Sequence, residues 1–345
     1  MPQIDPVSAP GQEIKILSID GGGIRGIFPA RILQEIEQRT SKPIAALFHL
    51  VAGTSTGGII ACGLANNMKA EALLNLYVQD GGEIFSRSFW QRITNLGGLN
   101  GPKYSADNLE KVLLPLLQDV ALKDVTSTEL LIPTYAIELS KPIDSDGVQS
   151  TRMPMFFKSW KARGQGLNQG QQADDYNFRL RDIARATSAA PTYFPPAQVY
   201  NSSGDAFGAV DGGVFANNPS LCALAAAYQM YPGAKFTLVS LGTGSLERPV
   251  PYAHARGWGT LQWLHPILSV LMDGNADTVT YQCDQVLGAR HFRFETTLGT
   301  DPSSPIAVNE DFDDASPDNI ARLERLAAAF ISANDKKIDQ VCALL

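Results

Sequence analysis

The sequence predicts an α/β fold in which helices pack against a mostly parallel sheet. Two segments carry this prediction, residues 14–39 and 47–64, because each contains a short apolar strand, a glycine-rich turn and an apolar helix. A third apolar strand, residues 236–241, also ends in glycine. Strands that alternate with helices in this way are typical of layered folds with parallel strands.

Length and composition predict one large domain. The chain has 345 residues, of which 44% are hydrophobic and 18% are charged, as in ordinary globular enzymes. No internal repeat and no Pro/Ser-rich linker divides it. We therefore expect a short N-terminal tail (residues 1–13) followed by a single domain (residues 14–345), whose C-terminal part, from about residue 257, is helical.

Apolar periodicity predicts the remaining elements. Helices are expected over residues 27–39, 69–79, 106–117, 180–188 and 219–230, and further strands over residues 130–139, 153–157 and 207–210. We expect the second of these helices to end at Gly81-Gly82 and a helix over residues 258–287 to be interrupted near Asp273-Gly274. Residues 84–102 should be irregular, and residues 320–345 should form one terminal helix.

Charge and cysteine usage exclude several classes of function. The net charge of -7, with no basic cluster, argues against a DNA or RNA partner. The four cysteines are far apart in sequence and lack C-x-x-C spacing, so neither a metal site nor a disulfide framework is predicted. The N-terminus shows no signal-peptide pattern, and we expect a cytoplasmic protein.

An uncharged run, residues 43–68, is long enough to cross a bilayer. Its centre is rich in glycine, serine and threonine and would make a poor continuous helix. A buried strand followed by a buried helix explains the run better.

That same run contains the pattern Gly53-Thr54-Ser55-Thr56-Gly57. G-x-S-x-G between a strand and a helix is the signature of a nucleophile elbow, which presents a serine hydroxyl at the edge of a sheet. The two glycines avoid Cβ atoms where strand and helix approach closely. Ser55 is therefore the candidate nucleophile.

The first glycine loop, GGGIRG, has two readings. Gly21, Gly23 and Gly26 satisfy the dinucleotide pattern, but that reading requires an acidic residue after the second strand, and none is present. We therefore predict no cofactor. In the other reading, the backbone N–H groups of Gly22, Gly23 and Ile24 donate hydrogen bonds to the oxyanion that forms when Ser55 attacks an ester carbonyl. Arg25 adds positive charge near a phosphate or the oxyanion, or forms a surface ion pair.

The residue that activates the serine is the remaining question. His49 precedes the elbow on the strand, and the other three histidines lie in no constrained setting. Asp211, in contrast, follows a short strand and precedes Gly212 and Gly213. A carboxylate with a pKa of ~4 is a weak base for serine. It can serve where a dry pocket raises its pKa and oxyanion donors supply most of the stabilisation.

Three motifs together resemble the patatin-like phospholipases: residues 20–26 (DGGGIRG), residues 53–57 (GTSTG) and residues 211–213 (DGG). Residues 189–196 and 217–219 are similar to the family's pattern around the third motif. The resemblance implies a three-layer α/β/α fold, a Ser55–Asp211 dyad without histidine, and an oxyanion hole from the glycine loop. It further implies a phospholipase A type reaction through an acyl-serine intermediate, at a phospholipid membrane surface to which the protein binds peripherally.

The sequence leaves alternatives for the regulation, the substrate and the oligomeric state of the protein. Residues 257–287 resemble stand-alone bacterial members, some of which are CBASS effectors of anti-phage defence activated by cyclic dinucleotides, but no motif here indicates nucleotide binding. A general esterase or acyltransferase and a homo-oligomer are also open. The apolar segments 85–90 and 258–272 are candidates for an acyl channel or lid, with core packing as the alternative.

Overall fold

The computed structural model describes residues 11–84, 101–140, 143–145, 148–246, 250–299, 307–309 and 311–345. Its strands are β1 (Glu13–Ile19), β2 (Leu50–Gly53), β3 (Glu129–Leu139), β4 (Ile143–Ser145), β5 (Val148–Ser150), β6 (Met153–Lys158), β7 (Ala197–Tyr200), β8 (Ala206–Asp211), β9 (Lys235–Leu241), β10 (Ser245–Leu246), β11 (His291–Phe294) and β12 (Thr297–Leu298).

The helices of the described residues surround this sheet system. They are α1 (Ile27–Thr40), α2 (Ile44–Leu47), α3 (Thr56–Ala65), α4 (Ala70–Ile84), α5 (Ala106–Leu117), α6 (Ser159–Ala162), α7 (Leu180–Thr187), α8 (Gly213–Ala216), α9 (Ser220–Met230), α10 (Tyr252–Ala255), α11 (Thr260–Leu287), α12 (Pro317–Ala333) and α13 (Asp335–Leu344). Short 3-10 turns connect several of them, including one at Gly23–Gly26.

An eight-stranded sheet forms the centre of the fold, in the order β11-β9-β1-β2-β3-β8-β7, with β6 paired to β3. The strands from β11 to β3 are mutually parallel. The strands β6, β7 and β8 pair antiparallel at the other side. The predicted mostly parallel α/β sheet is therefore confirmed.

Helices cover both faces of the sheet, which explains why its central strands are apolar on both sides. On β1, Leu17 and Ile19 belong to one core, with helices α1, α3 and α4. Ile14 and Ile16 belong to a second core, with α9 and α11. The three-layer α/β/α arrangement follows from these two separate cores.

Three expectations about helices are wrong. Helix α4 continues through Gly81-Gly82 to Ile84, and a Cβ at Gly81 would lie 2.7 Å from the side chain of Ile24, so glycine serves close packing there. Helix α11 is continuous through residues 273–274. The terminal helix is two helices, separated at Asn334, whose side-chain amide donates to a carbonyl of the preceding turn.

The central sheet contains two strands that the sequence did not predict, and some predicted segments lie outside the described residues. The four-residue strands β7 and β11 are too short for a periodic signal, and β11 adds a strand to the central sheet from the C-terminal part that was expected to be helical. Residues 1–10 of the tail and residues 85–100 lie outside the described residues. Within the described part of the chain, no helix combines the length and apolar character needed to cross a bilayer.

Candidate active site

The turn between β2 and α3 holds Ser55 in a strained conformation. Its φ of 54° lies in the left-handed region, which residues with a Cβ rarely adopt. The backbone N–H of Ser55 donates to the hydroxyl of Thr187 (3.0 Å), which in turn donates to the Pro133 carbonyl (2.7 Å). The Thr54 hydroxyl donates to the Ala216 carbonyl (2.7 Å). These bonds hold the turn from both sides.

Glycines allow helix α3 to approach both β2, the strand of this turn, and the neighbouring strand β1. A Cβ at Gly53 would lie 2.0 Å from the Gly57 carbonyl oxygen, and a Cβ at Gly57 would lie 2.2 Å from the Ile19 carbonyl oxygen. Between these glycines, directly after Ser55, the Thr56 hydroxyl donates to the buried hydroxyl of Tyr77 (2.6 Å). The sequence pattern thus has the close-packed geometry of a nucleophile elbow.

Asp211 reaches the same place from an antiparallel strand. Strand β3 is longer than β2 and continues past it, since Ala52 pairs with Leu131, whereas Asp211 at the end of β8 pairs with Thr134. β8 therefore runs back along this extension and ends level with the turn after β2. Register alone brings Ser55 and Asp211 together, although they are far apart in sequence.

The carboxyl of Asp211 is buried and has an altered proton affinity. Burial raises its pKa to about 7, opposed by the backbone N–H of Gly213 and the hydroxyl of Ser55. The Gly213 N–H donates to Oδ1 at 2.7 Å. Next to it, Gly212 has no room for a side chain, because a Cβ would lie 2.4 Å from the Pro133 carbonyl oxygen. A carboxyl in this environment exchanges protons near neutral pH.

The glycine loop after β1 offers two backbone donors to the same cavity. Within the described residues, no acceptor is found for the N–H groups of Gly22 and Gly23. The N–H of Ile24 instead donates to the Phe312 carbonyl (2.8 Å), and that of Arg25 donates to the Gly22 carbonyl (3.2 Å). The N–H of Ile24 is thus occupied in this structure, contrary to the expectation that it binds the oxyanion, and the N–H of Arg25 is occupied as well.

Arg25 is buried, which excludes the surface ion pair considered from the sequence. Its guanidinium donates to the carbonyls of Gly22 and Gly244, both at 3.3 Å, and lies 4.2 Å from the centre of the Phe312 ring. The side chain therefore fixes the glycine loop against two segments from the C-terminal part of the chain.

A second set of contacts supports the loop from the side of β9 and β11. The Thr243 hydroxyl donates to the Gly21 carbonyl (2.8 Å). Arg293 bridges the carboxylates of Asp20 and Glu295, and Glu295 accepts from the N–H of Gly244 at 2.8 Å. Burial raises the pKa of Asp20 to about 6, opposed by Arg293. The sequence did not single out Thr243, Arg293 or Glu295, because their contacts depend on strand pairing.

The serine turn, Asp211 and the glycine loop all line one narrow, mostly apolar cavity. Of the segment 258–272, the described lining includes only Met272, and Phe312 lies beside it in the lining; residues 85–90 lie outside the described residues. The described lining residues, none of which is a histidine, are Gly22, Gly23, Ser55, Thr56, Ile59, Tyr77, Ile84, Leu109, Ser188, Ala190, Tyr193, Phe194, Asp211, Met272 and Phe312.

Two of the histidines have structural partners elsewhere. His49 accepts from the Lys15 backbone N–H (3.1 Å), and His291 pairs with Asp284 (2.7 Å). His254 lies on an exposed helix, and the side chain of His265 is not described. Among the described residues, no group of three or more His, Cys, Asp or Glu side chains could hold a metal ion.

Comparison with known proteins identifies the family. A family model described as patatin-like phospholipase matches residues 17–224, which include the glycine loop, the serine turn and Asp211. The chain belongs to the patatin-like phospholipase family. The similarity that the three motifs indicated is confirmed, and this patatin-like phospholipase is a hydrolase that acts on lipid esters.

Plant proteins are among the relatives of this patatin-like phospholipase. Patatin-like protein 1 of Oryza sativa subsp. indica is 31% identical over 315 residues, which cover 80% of this chain and 71% of that protein. Patatin-like protein 2 of Arabidopsis thaliana is 30% identical over 350 residues, covering 88% and 81%. Human GIVD cytosolic phospholipase A2 aligns structurally over 96% of this chain and 62% of its own, with 9% identity and a TM-score of 0.43.

Proposed function

We propose that this protein is a phospholipase A type lipid acyl hydrolase in which Ser55 and Asp211 form a catalytic dyad. The observation that carries the proposal is that both residues line one apolar cavity, with the Ser55 hydroxyl against the buried Asp211 carboxyl. The same cavity is bordered by the N–H groups of Gly22 and Gly23, for which no acceptor is found among the described residues. Nucleophile, base and oxyanion donors are thus available together.

In the first half of the reaction, Asp211 takes the Ser55 proton while Oγ attacks the acyl carbonyl carbon. The N–H groups of Gly22 and Gly23 stabilise the oxyanion of the tetrahedral intermediate. As the intermediate collapses, the ester C–O bond breaks and Asp211 returns the proton to the leaving alcohol, a lysophospholipid. Ser55 is left as an acyl ester.

In the second half, water hydrolyses this ester. Asp211 accepts a proton from water, and the hydroxide attacks the acyl carbon over the same two donors. The bond from carbon to Ser55 Oγ breaks, the serine regains its proton from Asp211, and the fatty acid leaves. The apolar lining, which includes Met272 and Phe312, suits a hydrocarbon chain, and membrane phospholipids are therefore the proposed substrates.

Fatty-acid release from phosphatidylcholine vesicles tests the dyad. Ser55→Ala and Asp211→Asn should each reduce kcat by at least about 10³-fold, while circular dichroism shows an unchanged fold. A variant with His49, His254, His265 and His291 replaced by Gln, with folding verified in the same way, should keep measurable turnover. Full activity of Asp211→Asn, or complete inactivity of a folded four-histidine variant, would exclude a Ser–Asp dyad.

The pH profile provides an independent check. The acylation step needs an ionised Asp211, whose pKa is raised to about 7. The rate should therefore rise about tenfold per pH unit below that value and level off above it. A rate that is already constant at about pH 5 would contradict Asp211 as the base.

Substrate class is tested with the wild-type protein. Vesicles should be hydrolysed far faster than a short soluble ester if lipid is the substrate, whereas equal rates would favour a general esterase. A latent form that a cyclic dinucleotide activates is the second candidate from the sequence, and it predicts little hydrolysis without nucleotide. An assay with and without such nucleotides would reveal a latent form.

A further inference from the structure

The first half of helix α11 carries an exposed apolar surface beside the catalytic cavity. Ile267, Val270 and Leu271 have side chains that are 45%, 49% and 59% exposed. Their spacing of three and four residues places them on one side of the helix. We call these three residues the docking face.

The helix that carries the docking face also contributes a residue to the cavity that contains the nucleophile. Met272 follows Leu271 in the chain, is buried, and lines the cavity together with Ser55 and Asp211. Further along α11, Val279 and Cys283 are buried in the second core. The helix is therefore anchored through its second half and presents its first half beside the site.

The docking face lies in a stretch of sequence that has no charged residues. Residues 257–272 contain no Asp, Glu, Lys or Arg, whereas the whole chain has a net charge of -7. At the start of the uncharged stretch, the rings of Trp258 and Trp263 contact each other, with centroids 5.2 Å apart. Tryptophan is favoured where one side of a ring is apolar and the other is wet, as at the surface of a bilayer.

We propose that the docking face inserts into the phospholipid bilayer that supplies the substrate. The choice of lipid as the occupant rests on the proposed function, since the same helix contributes Met272 to the cavity that receives the acyl chain. The excess of negative charge disfavours attraction to anionic headgroups, so apolar insertion drives binding. Binding should therefore occur on zwitterionic vesicles and should withstand salt.

Binding is measured by flotation of the full-length Ser55→Ala protein with phosphatidylcholine vesicles, so that the lipid stays intact. Adding Ile267→Glu and Leu271→Glu should weaken binding at least about tenfold, because two partly exposed apolar side chains no longer enter the bilayer. Glutamate is a good helix former, so α11 should be kept. Binding by the unmodified face should be unchanged at about 1 M salt, where charge attraction is screened.

Tyr228→Glu provides a matched control. Tyr228 is also exposed, by 47%, but it packs on Phe236 at the beginning of β9. That end of the sheet is opposite to the end that carries Ser55, because β9 and β1 are parallel. The control variant should bind vesicles as the parent protein does.

Activity separates docking from catalysis. In the protein with an intact Ser55, the double variant should hydrolyse a short soluble ester at the wild-type rate, and vesicles at least about tenfold more slowly. Loss of both activities would assign α11 to the structure of the site and overturn the proposal. If the parent protein hydrolyses neither substrate, the proposed function fails, while flotation still decides whether the docking face binds lipid.

Three further results would refute the proposal. One is equal vesicle binding by the double variant and its parent. Another is binding that requires anionic phosphatidylglycerol and disappears in high salt. The third is a parent protein that sediments as a dimer and a double variant that sediments as a monomer, which would make the docking face a contact between two copies of the chain.

Discussion

The Asp211→Asn substitution should stabilise the protein at alkaline pH while abolishing its activity. Folding raises the pKa of the Asp211 carboxyl from 3.8 to about 7, and burial is the largest cause. The folded protein therefore binds this proton more tightly than the unfolded chain does. The free energy of unfolding contributed by Asp211 consequently falls as pH rises from about 4 to about 7, and stays low above that.

The size of the effect follows from the shift. At about 1.4 kcal/mol per pKa unit, an ionised Asp211 costs the folded state about 4 kcal/mol above neutral pH. Asparagine carries no charge and keeps an oxygen that can accept from the Gly213 N–H. We therefore expect Asp211→Asn to raise the free energy of unfolding by up to about 4 kcal/mol at about pH 8.

Urea unfolding of both proteins at several pH values measures this difference. The gain should shrink steadily on acidification and vanish below about pH 3, where the wild-type carboxyl is protonated in both states. Other titrating groups, including the buried Asp20, are shared by both proteins and cancel. A difference that does not change with pH, or a less stable variant at about pH 8, would show that folding imposes no charge penalty on Asp211.

Three other substitutions test the support of the site. Gly23→Ala would force a Cβ to within 2.1 Å of the Phe312 carbonyl oxygen at a φ of 57°, so kcat should fall by about a hundredfold, and normal kcat in steady-state kinetics would contradict this. Glu295→Ala should lower kcat more than it raises KM, because Glu295 positions Gly244 and Arg293. Partial recovery is expected in Glu295→Gln, and identical kinetics of the two variants would refute this positioning role. Thr187→Val leaves the Ser55 N–H without its acceptor and should cost about 1–3 kcal/mol in urea unfolding, whereas Thr187→Ser should recover most of it.

Local sequence signals predicted the parts of the site that lie within one strand–turn–helix unit. The G-x-S-x-G pattern predicts the turn because a Cβ at Gly53 would collide with the backbone of Gly57, four residues further along the chain. The position of Asp211 was also predicted, but its pairing with Thr134 across β3 was not visible in the sequence. Pairing register depends on contacts between distant segments, and no periodicity encodes it.

The supporting residues were missed for a related reason. Thr243 contacts the glycine loop, and Glu295 contacts Gly244 and Arg293, only because β9 lies next to β1 and β11 lies next to β9. A threonine between two glycines or a glutamate after a short strand has many uses in proteins, so neither signals a partner. The orientation of Ile24 was misjudged because the carbonyl that takes its N–H belongs to Phe312, far along the chain.

The placement of β9 limits how far this enzyme could be shortened. The family region ends at residue 224, before β9 begins at Lys235. A fragment ending there would turn β1 from an interior strand into an edge, with its backbone groups on that side unpaired. It would also remove Thr243 and Phe312 from the glycine loop. The region that identifies the family thus lacks contacts that hold its own glycine loop, because these come from the last third of the chain.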